Sequence, residues 1–316
     1  MLVTFMLRRG GQAVVVILGV TVVVFALAHL MPGSEARAIL GARASPAALA
    51  AFNRANGLDH PLPVQYLDFL WRLLHGNLGR SYRLNQSVGG LITEQAPNDL
   101  ILVGLGLLCA LLIAVPLGLW QATQRGRLGD HALSALSFAL YSMPSYWLAL
   151  LLVAALAISA RIFPPEVSQS SSAAGILSDP KGLVLPVLTL TLVNLALFSR
   201  YMRSSAIETL AQDYVRVARA KGLTERLVLR RHVLRNSLLA VVTMIGLCTP
   251  ALLTSGLVVE YVFNVPGIGL SYYNAAVNSD YPVELGVTVL VAVITVLGSL
   301  LADLTYALLD PRVRLR

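Results

Sequence analysis

Six long apolar runs constrain the fold of this sequence more than any other feature. A helix needs about 20 mostly apolar residues to cross the hydrocarbon core of a bilayer. Runs of this kind cover residues 12–31, 100–120, 132–160, 183–201, 238–263 and 284–309. The first run follows two arginines, but it is longer than the core of a signal peptide, so it is predicted to be an uncleaved span. The sequence therefore predicts an all-α integral membrane protein with six transmembrane helices, the third kinked at Pro144.

Charge composition and placement predict the orientation of these helices. Only 13% of the residues are charged, and the net charge of +8 indicates membrane topology rather than nucleic-acid binding. Sixteen arginines and lysines lie at the two termini and in the second-to-third and fourth-to-fifth connections. The two short connections on the opposite side carry only Arg161 and Lys181. Because positive residues concentrate in cytoplasmic loops, both termini and residues 201–237 are predicted to be cytoplasmic.

The segment after the first span, residues 32–99, is predicted to be extracytoplasmic. Within it, apolar residues recur at helical spacing over residues 64–74, which predicts a short amphipathic helix. Its cluster of large apolar side chains, including Phe69 and Trp71, either packs on the outer mouth of the spans or contacts a partner. Residues 161–182, with a serine run, are predicted to form a flexible loop. The predicted units are residues 1–99, residues 100–309 and a cytoplasmic tail at 310–316.

The cytoplasmic segment 201–237 is more organised than a topological signal requires. An apolar helical stripe follows i, i+3, i+4, i+7 spacing. Its members are Ile207, Leu210, Ala211, Tyr214, Val215 and Ala218. Gly222 is placed for a left-handed helix cap, and Thr224 is placed to begin a second helix. The pattern predicts helix, glycine turn and helix along the membrane, either as an interfacial element on anionic lipid or as a contact for a soluble partner.

At these residues the chain resembles a known family. Residues 214–223 (YVRVARAKGL) and 231–236 (RHVLRN) resemble the cytoplasmic "EAA" loop of ABC importer permeases, in particular of the dipeptide, oligopeptide and nickel group. Arg216 stands where the general loop has glutamate, an arginine-rich form common in that group, and Gly222 matches. Further matches are GLDHPLPVQY at 57–66, GNLGRS at 76–81, SMPSYW at 142–147, VPGIG at 265–269 and DPR at 310–312. The long first extracytoplasmic segment resembles the B-type permease of the pair.

The resemblance implies an assembly with the type I ABC importer permease fold. Two permeases form the pathway, two ATPase subunits or one fused ATPase supply energy, and an extracytoplasmic peptide-binding protein delivers substrate to the bacterial cytoplasmic membrane. The coupling residues, which would contact an ATPase groove, are Asp213, Tyr214, Arg216, Ala218, Arg219, Ala220, Lys221, Gly222, Leu223, Thr224 and Glu225. ATP and magnesium would bind to the partner subunits, and no cofactor or metal is expected on this chain. Nickel or glutathione import is the alternative within the family.

The sequence contains no pattern typical of an enzyme. It has neither a G-x-x-x-x-G-K-[ST] phosphate loop nor an H-E-x-x-H metal motif, so ATP hydrolysis is expected on another chain. Polar residues inside spans are candidates for the substrate pathway, although such residues often bond their own backbone. The candidates are Asn194, Ser142, Thr249 and Thr254. A stand-alone secondary transporter would need paired carboxylates in inverted repeats, and neither is evident.

Overall fold

Long apolar segments leave the backbone no hydrogen-bond partner in lipid except itself, so they form helices. The computed structural model describes residues 2–30, 35–41, 43–81, 83–170 and 172–309. Their elements are α1 (Leu2–Leu30), α2 (Glu35–Leu40), α3 (Pro46–Ala55), α4 (Leu62–Leu74), β1 (Arg80–Ser81), β2 (Gln86–Ser87), α5 (Val88–Thr123), α6 (Leu128–Ser142), α7 (Ser145–Leu152), α8 (Ala173–Leu177), α9 (Pro180–Leu210), α10 (Asp213–Ala220), α11 (Glu225–Val228), α12 (Arg235–Phe263), α13 (Ile268–Asn278) and α14 (Tyr281–Leu309). The predicted tail at 310–316 lies outside the described residues.

The spanning helices agree with the sequence prediction, with one broken span. Five helices are long and apolar enough to cross a membrane: α1, α5, α9, the continuous helix that begins with α11, and α14. The sixth candidate is α6 followed by α7 and its π-helical extension Val153–Ser159, and these two halves meet at 104°. The bend lies at Pro144, as predicted, because proline cannot continue the hydrogen bonds of the preceding turn.

Helices α5 and α9 form the central packed pair. Small side chains allow the two helices to approach closely, as in many membrane helix pairs. From Gly106 to Gly118, every fourth residue of α5 is small and buried: Gly106, Ala110, Ala114 and Gly118. A Cβ on Gly106 would overlap Leu190, and one on Gly118 would overlap the carbonyl oxygen of Ser199. The pair therefore depends on this stripe of small residues.

Helix α5 begins at Val88, twelve residues before the predicted run, so the predicted unit boundary at 99 falls within a helix. The extension has protein neighbours rather than lipid. Ser87 accepts a hydrogen bond from the backbone N–H of Gly90 and caps the helix. The first turns then pack into an outer cluster with α13 and α14, whose buried members are Val88, Leu91, Ile92, Ile268, Ala275, Val283 and Val287.

The amphipathic helix predicted within residues 32–99 is confirmed as α4. One face of α4 packs against α1. The Tyr66 hydroxyl lies 3.0 Å from Thr21 Oγ1, and Gln65 Oε1 lies 3.1 Å from His29 Nε2. The Phe25 ring contacts the rings of Tyr66 and Phe69. Of the two arrangements left open by the sequence, packing on the spans is therefore correct for this face.

The prediction of a flexible loop at 161–182 is wrong for the described part of that segment. Val167 and Ile176 are buried in the core cluster beside α9 and α12. The backbone N–H of Val167 donates to the carbonyl of Phe263, and the Gln169 amide donates to that of Asn264. Burial of two branched apolar side chains stabilises this segment against its serine-rich composition. Helix α13, which follows the fifth span, was not predicted from the sequence.

Candidate functional site

The coupling segment, residues 201–237, differs from the predicted single helix before the glycine. Helix α9 ends at Leu210, and α10 begins at Asp213 after a short turn. The turn forms because Gln212 has an extended backbone, and its carbonyl accepts hydrogen bonds from the backbone N–H groups of Val215 and Arg216. The apolar stripe nevertheless stays on one side, since Val215 joins the cluster that also packs Ile207. The prediction of the stripe was right and the prediction of one helix was wrong.

The left-handed glycine cap is confirmed. Gly222 has φ +81°, and the backbone N–H of Leu223 donates back to the carbonyl of Ala218. Thr224 precedes the next helix with an extended backbone, as predicted, although its side chain makes no capping hydrogen bond. That helix is not separate: α11 continues through the π-helical turn Leu229–Leu234 into α12. The second half of the coupling segment is therefore a direct extension of the fifth span.

The predicted coupling residues differ in exposure: most are exposed to solvent, and one is buried against the spans. The exposed ones are Asp213, Tyr214, Arg216, Arg219, Ala220, Lys221, Gly222, Thr224 and Glu225, and Leu223 is half-buried. Ala218 is only 5% exposed and packs in the same cluster as Val215 and Val228. The structure therefore corrects the role of Ala218, whose side chain holds α10 against the spans and is not available to a partner.

Two ion pairs order the exposed surface around Gly222. Arg219 donates through Nε and Nη2 to both carboxylate oxygens of Glu225, at 3.0 and 2.6 Å, and so bridges the glycine turn. Arg216 pairs with Asp213 one turn earlier. The Glu225 carboxylate raises the pKa of the Arg219 guanidinium, which stays charged. Exposed pairs of this kind contribute little to stability, so their effect is to orient the surface.

Side chains also connect the coupling segment to the spans. The Asn236 amide donates to the Tyr214 hydroxyl at 3.1 Å, and Ser237 donates to Thr209 at 3.2 Å. In the neighbouring connection, Arg203 of α9 makes two hydrogen bonds, at 2.6 and 2.7 Å, to Asp130, whose carboxylate is buried at the start of α6. These contacts connect α10 to α12, α12 to α9 and α9 to α6.

The predicted pathway residues lie on three helices. Asn194 is buried in α9 and donates to the carbonyl of Leu190. Ser142 is exposed at the end of α6 and donates to the carbonyl of Phe138. Thr249 is half-buried in α12 and bonds its own helix in the same way, while the side chain of Thr254 lies outside those described. Each described hydrogen bond is thus within one helix.

A carboxylate pair at the other end of the spans was missed by sequence reasoning. Glu260 of α12 is 1% exposed and accepts hydrogen bonds from the backbone N–H groups of Gly269, at 2.7 Å, and Leu270, at 3.3 Å. Asp99 of α5 accepts from the N–H of Ile268 at 3.1 Å. The pair thus satisfies N–H groups at the start of α13 that have no acceptor within that helix.

The absence of a side chain at Gly267 allows the two carboxylates to lie this close to the backbone. A Cβ on Gly267 would overlap the carboxylate oxygens of both Asp99 and Glu260. Asn98 adds a third contact by donating to the carbonyl of Pro266 at 2.7 Å. The signal was present in the sequence as an acidic residue inside an apolar run, a few positions before the VPGIG motif at 265–269. Across the part of the chain that the structure describes, no group of three or more His, Cys, Asp and Glu side chains is arranged to hold a metal.

Comparisons with known proteins cover almost the whole chain. Residues 114–315 match the family described as binding-protein-dependent transport system inner membrane component, and residues 1–103 match the N-terminal model of such membrane components. The chain is 34% identical over 311 residues to the oligopeptide transport system permease protein AppB of Bacillus subtilis, covering 98% of each chain. It is also 34% identical over 335 residues to the dipeptide transport system permease protein DppB of Escherichia coli, again covering 98% of each chain.

Proposed function

The chain belongs to the family of binding-protein-dependent transport system inner membrane components, and on this premise we propose that it is the permease subunit of an ATP-driven peptide importer. It would form half of the pathway for dipeptides or oligopeptides across the bacterial cytoplasmic membrane, with both termini in the cytoplasm. The observation that carries this proposal is the end-to-end similarity to two permeases named for peptide transport. The long apolar helices support the multi-pass arrangement.

The proposed partners follow from the same premise. They are a second homologous permease, two ATPase subunits or one fused ATPase, and an extracytoplasmic peptide-binding protein. The ATPase would contact the exposed coupling residues around Gly222, and ATP and magnesium would stay on that partner. The helical continuity of this surface with the fifth span supports the proposed contact. An ATPase bound there would act directly on that span. Asn194, Ser142, Thr249 and Thr254 remain the proposed pathway residues.

Reconstitution tests the proposed function. Proteoliposomes that contain this chain, its partner permease and the ATPase are expected to take up labelled dipeptides or oligopeptides only with ATP and the binding protein. The purified chain alone is expected to hydrolyse no ATP, because it lacks a phosphate loop. Uptake of nickel or glutathione, but not of peptides, would favour the alternative within the family. Uptake by this chain alone, driven by an ion gradient, would contradict the proposal.

Cross-linking tests the contact with the ATPase. A cysteine in place of the exposed Ala220 is expected to form a disulfide with cysteines along the ATPase groove in at least one nucleotide state. The matched control is Ala218→Cys, two residues away on the same helix, which is buried and is expected not to react. Failure of Ala220→Cys to cross-link in every nucleotide state, or equal reaction at both positions, would exclude the proposed surface.

A further inference from the structure

Helix α4 has three chemically different faces. At roughly 100° per residue, its side chains divide into three arcs around the helix axis. The first arc contacts α1 through Tyr66 and Phe69. The second arc is polar, and the third is apolar and exposed. The third arc, here called the outward apolar face, consists of Val64, Leu67, Trp71 and Leu74, whose exposed fractions are 42, 63, 66 and 81%.

A helix on the surface of a water-soluble domain turns mainly polar side chains to solvent, whereas α4 exposes a continuous apolar arc. Its polar side chains lie on a separate arc, where Asp68 and Arg72 are themselves exposed. Gln65, Asp68 and Arg72 line a cavity of about 470 Å³ between α1, α4 and the start of α14. The cavity is also lined by Asn53, Asn56 and Asn77. A continuous exposed face of large apolar side chains indicates that the medium beside this face is not water.

The contacts with α1 determine the depth of α4 in the membrane. Arg8 and Arg9 mark one end of the apolar part of α1. At a rise of roughly 1.5 Å per residue, Thr21 lies about 18 Å and His29 about 30 Å from Arg9 along the helix axis. The hydrocarbon core of a bilayer is about 30 Å thick. Because Tyr66 contacts Thr21 and Gln65 contacts His29, α4 lies within the half of that thickness that is farther from Arg9. With the N-terminus in the cytoplasm, as proposed above, that half is the outer leaflet.

From this geometry we infer that α4 is embedded in the outer lipid leaflet, with the outward apolar face in contact with acyl chains. The same surroundings explain the exposed apolar residues of α1, such as Val22, Val23 and Leu27, because both helices face one lipid environment. The Trp71 ring contacts the His75 ring in a tilted arrangement, and tryptophan is enriched at membrane–water interfaces. The first extracytoplasmic segment is thus anchored in the membrane and holds its cavity at the level of the interface. This goes beyond the proposed transport function.

Spin labels on neighbouring positions test the inference. Single cysteines would replace Leu67, Trp71 or Leu74, with Asp68→Cys on the polar face as the matched control, after the free cysteines Cys109 and Cys248 have been replaced. The complete transporter in lipid nanodiscs is then examined by power-saturation EPR with oxygen, which partitions into lipid, and a nickel chelate, which stays in water. Labels on the outward apolar face are expected to collide several-fold more with oxygen than with the chelate, and the Asp68 label is expected to reverse that ratio.

Two results would overturn the inference. Chelate accessibility at residues 67, 71 and 74 equal to that at residue 68 would place the outward apolar face in water. Protection of these three labels from both reagents would mean that a protein partner covers the face. Substrate-stimulated ATP hydrolysis measured on the same labelled complexes separates these outcomes from a failure of the proposed transport function.

Discussion

Replacing Gly222 with valine is expected to uncouple ATP hydrolysis from transport and to lower uptake by about tenfold or more, because the left-handed region costs a β-branched residue about 1–2 kcal/mol or more. Gly222 has φ +81°, and a Cβ at this position would have no neighbour within 4 Å. The substitution therefore changes the backbone preference without a steric clash. The turn would open, and the Arg219–Glu225 pair that bridges it would separate. Uptake and substrate-stimulated ATP hydrolysis in proteoliposomes measure the effect.

The matched control is Gly222→Asn, because asparagine adopts the left-handed conformation more readily than other non-glycine residues. This variant adds a side chain of similar size and is expected to retain most of the uptake. Equal loss in both variants would mean that side-chain bulk at the ATPase contact, rather than the turn, is responsible. Normal uptake and normal stimulated hydrolysis in Gly222→Val would remove the coupling role from this turn.

Replacing Glu260 with alanine is expected to detach the start of α13 from the spans, with loss of transport and lower thermal stability of the complex. The substitution leaves the N–H groups of Gly269 and Leu270 without their buried acceptor. An unsatisfied buried donor costs about 1–3 kcal/mol, so the two together are expected to destabilise the outer end of the spans by about 2 kcal/mol or more. Glu260→Gln keeps an acceptor oxygen and is expected to be milder. Thermal unfolding and peptide uptake of the purified complex provide the comparison.

A double substitution tests whether α13 is held by direct contact. Gly267→Ala alone should be harmful, because its Cβ would overlap the Glu260 carboxylate. In the Glu260→Ala background the overlap with Glu260 disappears and only the overlap with Asp99 remains, so adding Gly267→Ala should cost less than it does in the native chain. Gly118→Ala is the control, since its Cβ would overlap the carbonyl oxygen of Ser199 rather than Glu260. Additive effects of Gly267→Ala and Glu260→Ala would contradict direct packing of this glycine on the carboxylate.

Features that depend on neighbours along the chain were predictable. The amphipathic α4 follows from apolar spacing, the bend before α7 from Pro144, and the left-handed turn from Gly222. Each is decided by local periodicity or by the φ preference of one residue. The break at Gln212 was not predictable in this way, because the apolar stripe continues across the turn and periodicity alone does not reveal it.

By itself, the sequence determined the membrane-spanning character, the helical segments and the left-handed turn of the coupling segment, since lipid permits little besides helices and one backbone angle requires glycine. Only the tertiary structure decided which side chains face a partner and which face the core. Ala218 and Ala220 are the same residue type on one short helix, yet one is buried and the other exposed. Likewise, Asp99 and Glu260 are 161 positions apart, and only the packing of α5, α12 and α13 brings them to adjacent backbone N–H groups at the start of α13. The physical reason is that burial and long-range hydrogen bonds depend on how helices pack, which local periodicity does not encode.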